Sequence, residues 1–237
     1  MPEIVFHGNL QEILPVKKIV LGRRSFPRAA KDLIETLGIP HTEIGRIEIN
    51  GKECGILEAV SFEDRIEIFP YSPPRPSPWN VENGASQSLI AFLADVNVAG
   101  AGKLLRLMGF DTLIDPALDD RSIATLSWEQ KRVVLTRDRN LLKRRIIAFG
   151  YLVRNEKPWE QLAEIFSEYG LKDFSRPFSR CARCNTPLAP VEKEEVMDRL
   201  QPMTKRFYNT FQICPSCKRI FWKGSHIDHI AEKMARM

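Results

Sequence analysis

Cys181-Ala182-Arg183-Cys184 and Cys214-Pro215-Ser216-Cys217 are both Cys-x-x-Cys. That spacing makes a tight knuckle that turns two thiolates toward one centre. Two knuckles supply the four sulfurs of a closed tetrahedral zinc site, with Zn–S near about 2.3 Å. Between the pairs lie 29 residues, more than the roughly 15–20 of the commonest pattern. An insertion is therefore expected at 191–207, partly helical and broken near Pro202. Four sulfurs leave no open coordination position, so the zinc would be structural. A redox pair is the competing reading, but such motifs come singly, between a strand and a helix. His226 and His229 follow at a spacing of three and read as surface or RNA-contacting residues, because four cysteines already suffice. Cys54, far upstream, reads as an idle thiol.

A second set is acidic. Asp95 follows the apolar run Leu89–Ala94, and Asp138 follows Arg132–Thr136. Asp119 and Asp120 open a helical stretch between those runs, and Asp115 is a fourth candidate position. In open α/β sheets the functional crevice lies beyond the carboxyl ends of the strands. Carboxylates converging there repel one another unless a cation compensates them, and hard ions such as Mg²⁺ or Mn²⁺ prefer oxygen ligands. In phosphodiester cleavage such ions lower the pKa of the attacking water and stabilise charge on the leaving oxygen. The same aspartates also suit helix N-caps and turns. Pattern alone leaves both readings open.

The elements that must position these residues alternate. Leu89–Ala94 and Arg132–Thr136 read as strands buried on both faces, with shorter strands at Asp111–Ile114 and within Ile146–Val153. Helices are expected at Gly102–Met108, Asp119–Gln130, Asn140–Arg145 and Pro158–Tyr169. Repeated β–α units imply an α/β fold with a parallel sheet. Upstream, Pro70-Tyr71-Ser72-Pro73-Pro74-Arg75-Pro76-Ser77-Pro78 holds five prolines in nine residues, which excludes a helix interior or central strand. The organisation is thus an N-terminal domain at 1–70, a Pro-rich linker at 71–88, the α/β domain at 89–175, and a zinc ribbon with basic tail at 176–237. The N-terminal domain reads as strands Glu3–Phe6 and Ile19–Leu21, a helix at Phe26–Leu37, a strand Ile44–Ile49 entering an Asn50-Gly51 hairpin turn, and a strand Asp64–Phe69. That order matches a ubiquitin-like β-grasp. The phrases GIPHTEIGRIEINGK and FEDRIEIFP resemble small sulfur carriers of that fold. Those carriers end in Gly-Gly, whereas this domain ends in Phe69-Pro70-Tyr71, which favours docking or substrate presentation over sulfur transfer.

FLADVNVAGAGKLLRLMGFDT, DDRSIATLSWEQKRVVLTRDRNLL, the two Cys-x-x-Cys pairs and FWKGSH, in that order, resemble the Mut-seven C-terminal RNase family, a branch of the PIN-like nucleases with a zinc ribbon appended. The resemblance runs from about Phe92 to His226. It implies a metal-dependent ribonuclease with catalytic acids at Asp95, at Asp119 or Asp120, and at Asp138. PIN-like nucleases commonly use four acids, and three are placed readily here. Arg137 and Arg139 flank the last acid and are candidates to hold phosphate, as is Arg106 in LLRLMGF, where packing competes. Some bacterial members carry an N-terminal ubiquitin-like domain.

The uneven charge fits a polyanionic partner and, equally, a solvated basic surface. Residues 139–237 hold 19 Lys/Arg and 11 Asp/Glu, whereas residues 1–90 hold 10 and 12. Basic surface attracts RNA through phosphate neutralisation. Lys218, Arg219, Trp222 and Lys223 add aromatic to basic character, a common way to hold single-stranded RNA, although Trp222 packed over the ribbon is an equal reading. No stretch is apolar enough for a membrane span, and the N-terminus lacks a signal-peptide pattern. The expectation is a cytoplasmic protein with reduced cysteines. A non-catalytic RNA-binding adaptor, with a protein partner on the β-grasp domain, is the rival to the nuclease.

Overall fold

The computed structural model describes residues 3–22, 28–78, 90–222, 224 and 233. Leu89, the start of the expected helix at Phe26, and residues 79–88 of the Pro-rich segment lie outside them. The N-terminal domain contains β1 (Glu3–Phe6), α1 (Leu10–Ile13), β2 (Lys18–Val20), β3 (Arg28–Ala29), α2 (Ala30–Thr36), β4 (Ile44–Ile49), β5 (Lys52–Cys54), β6 (Ala59–Val60) and β7 (Arg65–Pro70). Its main sheet has the order β2-β1-β7-β4-β5, and β3 pairs with β6 separately. The first and last strands lie parallel at the centre, which is the β-grasp arrangement. Asn50 and Gly51 have φ of 52° and 78°, the two positive values that a tight turn between β4 and β5 requires.

The middle domain contains β8 (Phe92–Ala94), α3 (Ala99–Leu107), β9 (Thr112–Leu113), α4 (Asp120–Glu129), β10 (Val133–Thr136), α5 (Arg139–Leu142), β11 (Gly150–Leu152) and α6 (Pro158–Tyr169). All strands of its sheet are parallel, in the order β11-β10-β8-β9. The expected helix over Asn140–Arg145 is a single turn, Arg139–Leu142. The continuous apolar runs are explained by burial on both faces, with side chains alternating between them. Phe92, Ala94, Val133 and Leu135 pack with Leu105, Leu162 and Ile165 of α3 and α6. Leu93 and Val134 point the other way, into a cluster with Ile123 of α4 and Leu141 and Leu142 of α5.

That second cluster continues without a break into the β-grasp domain, through Ile4, Phe6, Leu33, Ile39, Ile47, Ile66 and Ile68. The two domains therefore share one core. Residues 71–78 are packed into their junction. Arg75 is 1% exposed. Its guanidinium donates to Thr42 O at 2.6 Å and to both Glu43 carboxylate oxygens at 3.3 Å, and it reaches Glu168 Oε2 at 3.4 Å. Arg154 meets the same Glu43 carboxylate at 3.0 Å. A lone arginine among prolines thus joins the β-grasp domain to α6 and to the end of β11.

The ribbon contains β12 (Ala189–Val191), α7 (Lys193–Val196), α8 (Pro202–Phe207), β13 (Phe211–Ile213) and β14 (Ile220–Trp222), with an antiparallel sheet β12-β13-β14. The insertion is helical and broken at Pro202, which opens α8 at a position that tolerates a missing N–H. No helix among the described residues is long and apolar enough to cross a membrane.

Candidate active site and metal centre

The ends of β8 and β10 lie side by side, because Leu135 pairs with Ala94 in a parallel ladder. Asp95 and the Arg137-Asp138 pair therefore leave the sheet at the same edge. One Asp95 carboxylate oxygen accepts from Val96 N at 2.6 Å, and the other accepts from Asn97 Nδ2 at 2.6 Å and from the Thr136 hydroxyl at 2.7 Å. The Thr136 hydroxyl also accepts from Asp138 N at 2.9 Å. Asn97 Oδ1 accepts from Arg137 N at 2.9 Å. Thr136 and Asn97 thus tie the two acidic positions together. Sequence pattern singles out neither as a site residue, although Asn97 lies in the quoted stretch FLADVNVAG and Thr136 in RVVLTRDRNLL.

Asp138 caps α5 through Asn140 N at 2.7 Å, and among the described residues its second carboxylate oxygen accepts no hydrogen bond. Asp119 caps α4, accepting from Ser122 N at 2.8 Å. Hydrogen bonding from Ser122, side chain first and then backbone, holds its exposed carboxyl below the usual range. Asp120, one residue on, pairs with Arg144 at 3.2 Å. Asp115 lies just beyond β9, at the same edge as Asp95, and accepts from Ala117 N at 2.9 Å. Capping and strand-end placement therefore hold together for the same residues.

Among the described residues, the four cysteines are the group of three or more whose ligand atoms all lie within 4.8 Å of one another. The aspartates form no such group, as befits residues spread over adjacent strand ends about 4.8 Å apart. Mg²⁺ tolerates that spacing, because it usually keeps several waters and takes only one or two carboxylates plus substrate phosphates. The oxygen donors at Asp95 and Asp138 suit such an ion.

The cysteine cluster is tighter. Cys181 and Cys217 sulfurs are 3.7 Å apart, and those of Cys184 and Cys214 are 3.3 Å apart. Asn185 and Lys218, each directly after a knuckle's second cysteine, have φ of 66° and 58°, so both knuckles turn through the left-handed region. This cluster could hold a structural zinc ion. Its first knuckle docks at the amino end of β9, on the edge opposite the aspartates. Asn185 Nδ2 donates to Asp111 Oδ1 at 2.7 Å, and its Oδ1 accepts from Thr112 N at 3.1 Å.

Arg106 serves that docking. It is 4% exposed, and it donates to Thr112 O at 2.7 Å and to Arg183 O at 2.6 Å. Buried, with Nε and Nη1 bonded to carbonyls, it is a staple between α3 and the knuckle. Gly109, just past α3, has φ of 95°, and a Cβ there would sit 2.5 Å from Arg176 O. The chain entering the ribbon crosses directly over it.

The basic candidates are exposed. Arg137 pairs with Glu156 at 3.2 Å, and Arg139, Lys218 and Arg219 face solvent. Trp222 is 37% exposed, with its ring 6.4 Å from both Tyr208 and Phe211. It rests on the ribbon core and still presents surface. Lys223, His226 and His229 lie outside the described residues.

Residues 90–234 match the family model of the Mut7-C RNAse domain, and residues 3–75 match that of the Mut7-C ubiquitin domain. No curated protein and no solved structure matches the chain. With its β-grasp domain, parallel sheet and four-cysteine ribbon in one chain, and more than half its length covered by the RNase model, it belongs to the Mut7-C RNase family.

Proposed function

We propose that this protein is an Mg²⁺- or Mn²⁺-dependent ribonuclease that cleaves RNA phosphodiester bonds at Asp95 and Asp138, with Asp120 or Asp119 completing the acidic set. The observation that carries this reading is the Thr136 hydroxyl, which bonds the Asp95 carboxylate at 2.7 Å and the Asp138 backbone at 2.9 Å. It ties the Asp95 carboxylate and the Asp138 backbone, at neighbouring strand ends, to one side chain. The ion, when bound, supplies an acidified water and positive charge for the leaving oxygen. Asp95 and Asp138 would hold it, and Asn97 and Thr136 keep the Asp95 carboxylate aimed. Asp120 is preferred to Asp119 as the third acid, since its exposed pair with Arg144 is worth little. Arg137 and Arg139 would steady the phosphate, because an exposed ion pair such as Arg137–Glu156 exchanges readily for a phosphate oxygen.

Zinc at Cys181, Cys184, Cys214 and Cys217 would set the ribbon on the sheet, and Lys218, Arg219, Trp222 and Lys223 would contact RNA. The β-grasp domain, joined to the nuclease sheet by a shared core, is suited to present a protein partner in a fixed orientation. Four zinc-binding thiols fit a reducing compartment such as the cytoplasm.

The test is a panel of single Asp→Asn variants at 95, 115, 119, 120 and 138, assayed on labelled single-stranded RNA. The reading expects near-complete loss at 95 and 138. It expects a larger loss at 120 than at 119. The adaptor reading draws on the aspartates forming no close ligand group among the described residues. It expects no metal-stimulated cleavage by the unsubstituted protein, with RNA binding intact throughout the panel.

A further inference from the structure

Among the described residues, Arg106 is a buried cation with no carboxylate in an ion pair. Burying a charge is costly unless an opposite charge compensates it. The Arg106 guanidinium donates to Thr112 O, to Ala182 O at 3.3 Å and to Arg183 O at 2.6 Å. The last two carbonyls belong to the residues between Cys181 and Cys184. Arg180 flanks the same knuckle, donating to Asn185 O at 2.8 Å and to Gly109 O at 3.2 Å, and among the described residues it too forms no ion pair. Cys184 therefore stands between carbonyls that two guanidinium groups hold. Asp111 is a carboxylate that acts on both arginines, but it is already bonded to Arg132 at 2.7 Å. Arg106, Arg132 and Arg180 thus face one acid where the ribbon docks, an excess of two positive charges. Zinc takes cysteine as thiolate, so one ion on four sulfurs carries two negative charges and offsets that excess. Desolvation holds the Arg106 guanidinium below its usual value, and the Cys184 and Cys181 sulfurs oppose that more than Asp111 does.

We propose that Arg106, with Arg180, supplies the counter-charge of the zinc–thiolate cluster, so that zinc loading and docking of the ribbon on the parallel sheet strengthen each other. Both are positioning residues, because they touch carbonyls of the knuckle and not the metal. This rests on zinc at the four cysteines and deepens that reading, since the metal then fastens the ribbon to the edge at β9 besides folding the ribbon itself.

The experiment measures zinc affinity of the full chain by competition with a chromophoric chelator, for the unsubstituted protein, Arg106→Gln, Arg106→Lys and Arg180→Gln. Substitutions around the ligands of a metal site cost about 10–100-fold in affinity, so Arg106→Gln should weaken zinc binding by at least about tenfold. Arg106→Lys keeps the charge and gives up the fork, and should return to within about threefold of the unsubstituted protein. Arg180→Gln removes a cation nearer the surface and should cost about threefold. Affinity within about twofold of the unsubstituted protein in Arg106→Gln overturns the proposal. So does equal weakening in Arg106→Gln and Arg106→Lys, which assigns the effect to the carbonyl bonds and not to charge. If circular dichroism shows that Arg106→Gln does not fold, Arg180→Gln decides, and unchanged affinity there overturns the proposal. An unsubstituted chain that binds no zinc sinks the zinc reading and this proposal with it, whereas one zinc per chain at equal affinity in every variant sinks this proposal alone.

Discussion

Arg75→Met is the sharpest probe of how the β-grasp domain is attached. The substitution keeps side-chain volume and removes a charge that is 1% exposed, opposite a Glu43 carboxylate that is 0% exposed. Removing one partner from a buried ion pair costs about 3–5 kcal/mol, because the other charge stays buried without compensation. Here Arg154 remains 3.0 Å from Glu43, and Leu152 N still donates to it at 2.8 Å. The lower end, about 3 kcal/mol, is therefore expected. At about 2–4 °C per kcal/mol for a chain of this size, the midpoint should fall by about 6–12 °C. The assay is thermal unfolding followed by circular dichroism at fixed zinc, with Glu43→Gln and the double variant completing a cycle. The double variant should be less destabilised than the sum of the two singles, since each partner's loss relieves the other. A fall of less than about 2 °C corresponds to less than about 1 kcal/mol and would refute the junction as a buried ionic anchor. Separate unfolding of the β-grasp domain in the unsubstituted protein would refute the shared core.

Two further outcomes test the ribbon. Stripping zinc with a chelator should unfold residues 181–222 and leave the parallel sheet folded, read as loss of protection in hydrogen exchange confined to the ribbon; ribbon amides protected to the same degree with and without metal would contradict a structural zinc. Burial alone would raise the Asp111 carboxyl, but hydrogen bonds from Arg132 at 2.7 Å and Asn185 at 2.7 Å outweigh it and hold the group below the usual carboxylate range. Because the folded-state pKa is the lower one, the stabilisation is fully present above about pH 4 and is lost as pH falls through the depressed value. Wild type minus Asp111→Asn stability, from denaturant titrations, should shrink steadily below about pH 4; a difference that stays constant with pH would show that the carboxylate charge contributes nothing.

Much of the fold could be read from local pattern. The apolar runs before Asp95 and Asp138 are strands because both faces are covered, and Asn50-Gly51 makes the turn its φ preferences require. Pro158–Tyr169 is helical over its whole expected length. The two cysteine knuckles were legible for the same reason, since Cys-x-x-Cys is a short-range geometry. What local pattern does not carry is the partner across the fold. Arg75 sits in a segment whose composition reads as a linker, and its meaning depends on Glu43 and Glu168, 32 and 93 residues away in sequence. Arg106 reads equally as a phosphate ligand or a packed residue until the carbonyl of Arg183 is brought to it. Thr136 looks like the last residue of an apolar strand, and only the register of β8 against β10 puts its hydroxyl on Asp95.

The proposed cleavage requires the Asp95–Thr136–Asp138 constellation to hold a catalytic ion. The most direct measurement is cleavage of end-labelled single-stranded RNA by the unsubstituted protein and by Asp138→Asn, across a titration of Mg²⁺ and then Mn²⁺. Cleavage that rises with either metal and disappears in Asp138→Asn, with RNA affinity retained, is the predicted result. Cleavage absent from the unsubstituted protein at every metal concentration, or undiminished in Asp138→Asn, would contradict it.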